Sequence, residues 1–248
     1  MGRGLERFGE PNHRGGASRG ENGAWREDNP PMDLSRNFSA DRAGVVAAAR
    51  WLRGGGLLIY PTETFYALGC DPRCGDAVSR LRRLKAREAL KALPLLAGAA
   101  EQIEAAAPGW RRWGRAVRWA EACWPGPLSL ILEGGSGLAE GVRAADGSVA
   151  IRWTSDATAA ALARAAGFAL IATSANPAGR PPHTRARAAV EALGDVGSVA
   201  LLDGGTTPGG APSTLVDPRR DPPLLLRIGA LDPARLGLAP PDGESHPG

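Results

Sequence analysis

Lys85 and Lys91 are the only lysines in a chain that otherwise takes its positive charge from arginine, and they stand six residues apart. The segment that holds them, Arg80 to Lys91, carries six basic residues and one acid, Glu88. A basic cluster of this density inside a folded domain suits a polyanion, either the phosphates of a nucleotide or a nucleic-acid backbone. On a helix Lys85 and Arg87 would diverge, so a loop or extended turn is the setting in which Lys85, Arg87 and Lys91 could flank a triphosphate. Three other polar segments follow short apolar runs: Pro61-Thr-Glu-Thr64, Thr173-Ser-Ala-Asn176 and the 204–214 stretch ending Pro212-Ser-Thr214. Ligands of open α/β sheets sit at the carboxyl ends of strands, where such hydroxyls and a carboxamide can hydrogen-bond a small polar molecule. Taken singly, each loop is as well explained by Ser, Thr, Asn and Pro marking a turn.

Several familiar chemistries lack their residues. There is no G-x-x-x-x-G-K-[ST] phosphate loop, and the glycine-rich pieces Gly134-Gly-Ser-Gly137 and Gly204-Gly205 do not form G-x-G-x-x-G after a strand. Histidine occurs only at His13, His183 and His246, which weakens any Ser-His-Asp or Cys-His scheme. The cysteines Cys70, Cys74 and Cys123 are odd in number, against a disulfide framework, and too few for a tetrahedral zinc site, so no protein-held metal is expected. Trp124-Pro-Gly-Pro127 reads as a rigid packing corner leading into a strand.

The elements that must position these loops alternate. Ser39–Arg53 reads as a helix with Val45, Val46, Ala49 and Leu52 on one face, capped by Ser39 or Asp41 and stopped by Gly54-Gly-Gly56. Leu57–Tyr60 suits a buried strand. Helical patterns follow at 76–84, 101–107, 109–123, 156–166 and 184–193. Strand patterns lie at 93–97, 129–133, 149–153, 169–172, 199–202, 214–217 and 224–228. Strands interleaved with helices, some strand pairs lacking a helical crossover, predict an α/β fold built on a twisted, open, mixed β-sheet with flanking helices. Residues 1–38 are rich in Gly, Arg, Asn, Pro and Glu and read as a disordered arm, with Met32 as a candidate translation start. The expected catalytic domain spans 39–236, and 237–248 reads as a flexible tail. No run approaches the roughly 20 apolar residues of a membrane span and no signal peptide is evident, so a cytoplasmic protein without a membrane partner is expected.

In their order along the chain these segments resemble the YrdC/Sua5 family of threonylcarbamoyl-AMP synthases. The matching pieces are Tyr60-PTETFYALG-Cys70, Lys85-AREAL-Lys91, WPGPLSLIL at 124–132, Ser148-VAIR-Trp153, ATSANPAG at 172–179, Asp203-GG, Ser213-TLVD and Leu226-RI-Gly229. They cover about residues 40 to 232. The resemblance implies a YrdC-like fold with a positive concave face, and synthesis of threonylcarbamoyl-AMP and pyrophosphate from L-threonine, bicarbonate and ATP with Mg2+. A tRNA threonylcarbamoyl-transferase complex would then pass the group to adenosine 37 of tRNA. Carried over by position, Thr64, Arg152, Ala172 and Thr214 would contact threonine. Arg87, Lys91, Ser148, Ser174, Asn176 and Arg227 would contact ATP, with Lys85 and Arg87 nearest the chemistry. The chain departs from the family's pattern at Ala67, Ala92, Leu96, Trp153-Thr154, Pro182 and Ile228.

Two other readings stand beside this one. A related domain handles carbamoyl phosphate in hydrogenase maturation, embedded in a much larger chain. Alternatively, a basic concave surface could hold double-stranded RNA through phosphates alone, as a binding protein without synthase activity. Aromatic residues make up only 5% of the chain, which leaves few stacking platforms and favours a nucleotide over RNA.

Overall fold

The structure, a computed structural model, describes residues 36–85, 92–193 and 199–239. The proposed start at Met32, Arg87 and Lys91 of the basic segment, and the tail from residue 240 lie outside the described residues. Among the described residues eleven short strands and six α-helices alternate as expected, but the strands divide into two hydrogen-bonded mixed sheets rather than one.

The first sheet begins inside the stretch read as an arm. Asn37–Ser39 (β1) runs parallel to Val199–Asp203 (β9), which runs parallel to Leu57–Tyr60 (β2). Ala67–Gly69 (β3) and Thr173–Ser174 (β8) continue the sheet antiparallel. β2 is buried at every position because its two faces serve two cores. Leu57 and Ile59 enter the larger core, whereas Leu58 and Tyr60 face Arg42–Arg53 (α1) and Ala157–Ala166 (α5). α1 starts where the Asp41 carboxylate accepts from Gly44 N at 2.8 Å, and α5 where Asp156 accepts from Ala159 N at 2.7 Å. Alanines at 48, 49, 159 and 163 let these helices approach closely over β2.

The second sheet is ordered Leu224–Arg227 (β11), Thr214–Asp217 (β10), Leu128–Glu133 (β5), Ser148–Trp153 (β6), Leu95–Ala97 (β4) and Leu170–Ile171 (β7). Ala100–Ala106 (α3) and Gly114–Cys123 (α4) pack on this sheet, Gly75–Leu84 (α2) joins the same core, and Ala186–Leu193 (α6) lies against β2 and β9 of the first sheet. The predicted helix over 109–123 is broken: Trp110–Arg112 forms a 3-10 turn and α4 begins only at Gly114. Trp124 acts as the expected corner, its Nε1 donating to Leu128 O at 2.7 Å and its ring packing 5.8 Å from Trp110.

The strand predicted over 169–172 is β7 of the second sheet, and the loop predicted after it begins with β8 of the first, so the step between them joins the sheets. Ile171 N donates to Cys70 O, Ala172 N to Pro94 O and Ala175 N to Tyr66 O, so one short segment is stitched to both. The Tyr60 hydroxyl donates to Ile171 O at 2.8 Å. A Cβ on Gly69 would meet that same carbonyl oxygen at 2.0 Å, so only glycine permits the approach.

Candidate functional site

Three of the four loops singled out in the sequence meet where the two sheets join. The 61–66 loop leaves β2; Gly209 N donates to Thr64 O at 2.7 Å, and the Tyr66 hydroxyl donates to Gly205 O and accepts from Gly204 N. Tyr66 also accepts, at its carbonyl, the Ala175 N–H of the 173–176 loop. The fourth segment enters through Lys85, at the end of α2. Its ammonium is 4% exposed and donates to Ser174 O at 2.7 Å, to Asn176 O, and to Asn176 Oδ1 at 3.1 Å. The Asn176 carboxamide nitrogen in turn donates to Arg180 O. Lys85 and Asn176 thus shape the loop around the exposed Ser174, whose hydroxyl makes no hydrogen bond to a described residue.

Arg152 lies at the carboxyl end of β6, opposite Leu96 of β4. Its Nη1 donates to Glu63 Oε1 at 2.5 Å, and the pair is largely buried, with side chains 12% and 15% exposed. The second Glu63 oxygen accepts from Thr154 Oγ1 at 2.7 Å, and that hydroxyl accepts from Asp156 N. Glu63 and Thr154 belong to this cluster and were not among the candidate residues drawn from the sequence. The Thr-Glu-Thr motif displayed Glu63, and Thr154 was visible only as a departure from pattern. Asp156 is pushed up, first by burial and further by the negative charge of Glu63. Arg227 is held down, first by burial and then by the charge of Arg152. Arg227 thus lies within electrostatic reach of Arg152, and Asp156 within reach of both members of the Arg152–Glu63 pair.

Arg227 is seated by Ser213. Its Nε and Nη2 donate to Ser213 O at 3.0 and 2.8 Å, and the Ser213 and Ser129 hydroxyls lie 2.8 Å apart. Thr214 is fully buried; its hydroxyl donates to Leu231 O and accepts from Gly229 N, so it anchors the Arg227 strand end rather than presenting an open hydroxyl. Thr64 is half-buried, and among the described residues its only side-chain hydrogen bond is a long 3.4 Å approach to Thr62 Oγ1. Ala172 can offer only main-chain groups, and its N–H is already given to Pro94.

Ser148 is not brought into this cluster. It stands four residues before Arg152 on β6, roughly 13 Å along an extended strand. There it donates to Asp146 Oδ1 at 2.6 Å, and Asp146 also meets Arg219. Among the described residues no group of three or more His, Cys, Asp or Glu side chains could hold a metal ion. Open clefts lie elsewhere, including one of about 540 Å³ between α4 and β11 walled by Arg115, Arg118, Trp119 and Pro222. It holds none of the hydroxyl-bearing loops.

Residues 50–229 match the family model for Sua5, YciO and YrdC, described as "Telomere recombination". The chain belongs to the Sua5/YciO/YrdC family. The "Threonylcarbamoyl-AMP synthase" of Thiobacillus denitrificans is 38% identical over 168 residues, 67% of this chain and 87% of that one. The protein of the same name from Chromohalobacter salexigens is 38% identical over 179 residues, 72% of this chain and 94% of that one. Among solved structures, P. abyssi Sua5 complexed with L-threonine superposes with a TM-score of 0.72 at 32% identity. That alignment covers 79% of this chain and 57% of the P. abyssi chain, so the chain spans less than two thirds of that longer Sua5 protein. As a Sua5/YciO/YrdC member it carries the mixed α/β architecture expected of the family, with the divided sheet described above. No helix among the described residues is long and apolar enough to cross a membrane.

Proposed function

We propose that this chain is an L-threonylcarbamoyladenylate synthase, joining L-threonine, bicarbonate and ATP for the threonylcarbamoyl modification of adenosine 37 in tRNA. The observation that carries the reading is Arg152, a largely buried guanidinium at the end of β6 bonded to Glu63 of the 61–66 loop. It lies in a chain whose family relatives bear the synthase name.

A guanidinium fork grips a carboxylate with two parallel hydrogen bonds, so Arg152 takes the carboxylate of threonine. Thr64, main-chain groups at Ala172 and the strand end anchored by Thr214 frame the same end of the ligand. The amine of threonine, once neutral, adds to the carbon of bicarbonate and water leaves, giving a carbamate and releasing the ammonium's proton. A carbamate oxygen then attacks the α-phosphorus of ATP in line; the new P–O bond forms as the bond to pyrophosphate breaks. The reaction needs no protein nucleophile, and catalysis is positioning together with stabilisation of charge.

ATP enters with Mg2+ as its counter-ion, since the described residues offer no carboxylate cage for a resident metal. Ser174, Arg227 and Ser148 line the nucleotide path, with Lys85 and Asn176 holding the loop that carries Ser174. Arg87 and Lys91 complete the phosphate side and neutralise the departing pyrophosphate. The product is a mixed anhydride, reactive toward amines, so a transferase complex acting on tRNA consumes it.

The test is incubation of the full chain with labelled bicarbonate, L-threonine and Mg-ATP, followed by mass analysis of the nucleotides. Label in a nucleotide of the mass of threonylcarbamoyl-AMP is expected. Label confined to bicarbonate, with folded protein, would contradict the reading.

A further inference from the structure

The mechanism gives Arg152 the carboxylate of the amino acid and leaves its amine without a named partner. The residue paired with Arg152 supplies one. Each Glu63 oxygen has a single partner, Arg152 Nη1 on one side and Thr154 Oγ1 on the other. A carboxylate offers about four acceptor sites, so roughly half of the capacity of Glu63 remains. Arg152 likewise uses only Nη1 among the described residues, which leaves the rest of the fork for a ligand. Thr154 cannot turn away from Glu63, because its oxygen accepts the Asp156 N–H at 3.1 Å and so must point its proton at the carboxylate.

An α-amino acid carries its cation and its anion on one carbon. Arg152 and Glu63 present adjacent charges of the opposite order. We propose that Glu63 is a specificity-determining residue of the amino-acid site, accepting the α-ammonium while Arg152 accepts the carboxylate. Ligands with a carboxylate and no α-amine are thereby disfavoured, since they leave the spare acceptor sites of the largely buried Glu63 without a donor and bring a second carboxylate beside it. Carbamate formation removes the ammonium charge, which frees the nitrogen from Glu63 while Arg152 keeps its hold.

This inference rests on the threonine reading, and the experiment separates the two. Isothermal titration of the full chain compares L-threonine with (R)-3-hydroxybutanoate, which keeps the carboxylate and hydroxyl and lacks the amine. The wild-type chain should prefer threonine by about 100-fold or more. Glu63→Gln preserves shape and should shrink that preference at least about tenfold by weakening threonine selectively. Thr154→Val, which unties Glu63 without removing its charge, should shrink it less.

Equal binding of both ligands by the wild-type chain would overturn the proposal without any variant. So would a Glu63→Gln chain that loses both ligands by the same factor, because that result would make Glu63 only a support for Arg152. A wild-type chain that binds neither ligand would overturn the threonine reading and this proposal with it.

Discussion

Lys85 donates from Nζ to the main-chain carbonyl of Ser174 at 2.7 Å, so a buried cation ties the end of α2 to β8. The two Asn176 oxygens also accept from it, so this side chain braces the loop carrying the exposed Ser174 hydroxyl. The basic segment therefore begins as a strut.

Lys85→Met should leave the Ser174 and Asn176 carbonyls without their shared donor. A loss of about 2–4 kcal/mol is expected in denaturant unfolding, together with loss of adenylate formation. Unchanged stability would show that the loop does not depend on this tie.

Arg152→Lys keeps the charge and removes the fork. The KM for threonine should rise about 10- to 100-fold while that for ATP moves little, because a lysine cannot hold Glu63 and a substrate carboxylate in the same geometry. Steady-state kinetics with each substrate varied in turn decide this, and an equal rise in both KM values would place Arg152 elsewhere in the mechanism.

Arg87→Ala and Lys91→Ala should each lower pyrophosphate release about tenfold or more by removing phosphate contacts, with melting temperature unchanged. Unaltered turnover in both variants would misplace the phosphate side of the site.

Much of this was legible in the sequence, and the parts that were not have physical reasons. Leu57–Tyr60, α1 and α5 declare themselves through period and caps, and Asp41 and Asp156 do cap as their types suggest. Strands of two or three residues do not declare themselves: β8 lies in the 173–176 segment read as a loop, and only long-range hydrogen bonds to Cys70, Pro94 and Tyr66 show how 171–175 passes between the sheets. β3 drew no strand assignment, and β1 lies partly inside an arm whose composition looked disordered, since a three-residue strand takes its order from its neighbour. The polar loops were recognisable by residue type. The Glu63–Arg152 pair was not, because 89 positions separate the two residues and no local pattern marks such a contact. Ser148 and Thr214 show the opposite limit: both occupy motif positions, but their hydroxyls are committed to Asp146 and Leu231.

The carboxylate that holds Ser148 predicts an acid-sensitive limb. Hydrogen bonds from the Ser148 hydroxyl and N–H, and then from Arg219, bring the Asp146 carboxyl down to about 2. In the unfolded chain it would titrate near about 4, so its contribution is present above that pH and is lost as pH falls from about 4 through about 2. Asp146→Asn should lower stability at neutral pH and flatten the acid limb of the unfolding curve. An acid limb identical to that of the wild-type chain would show that Asp146 is not held as described.

The central claim is tested most directly by pyrophosphate release from Mg-ATP and bicarbonate, measured with and without L-threonine on the full-length chain. Release that depends on threonine and on bicarbonate is the predicted result. Release at the same rate without threonine, or none at all from folded protein, would contradict it.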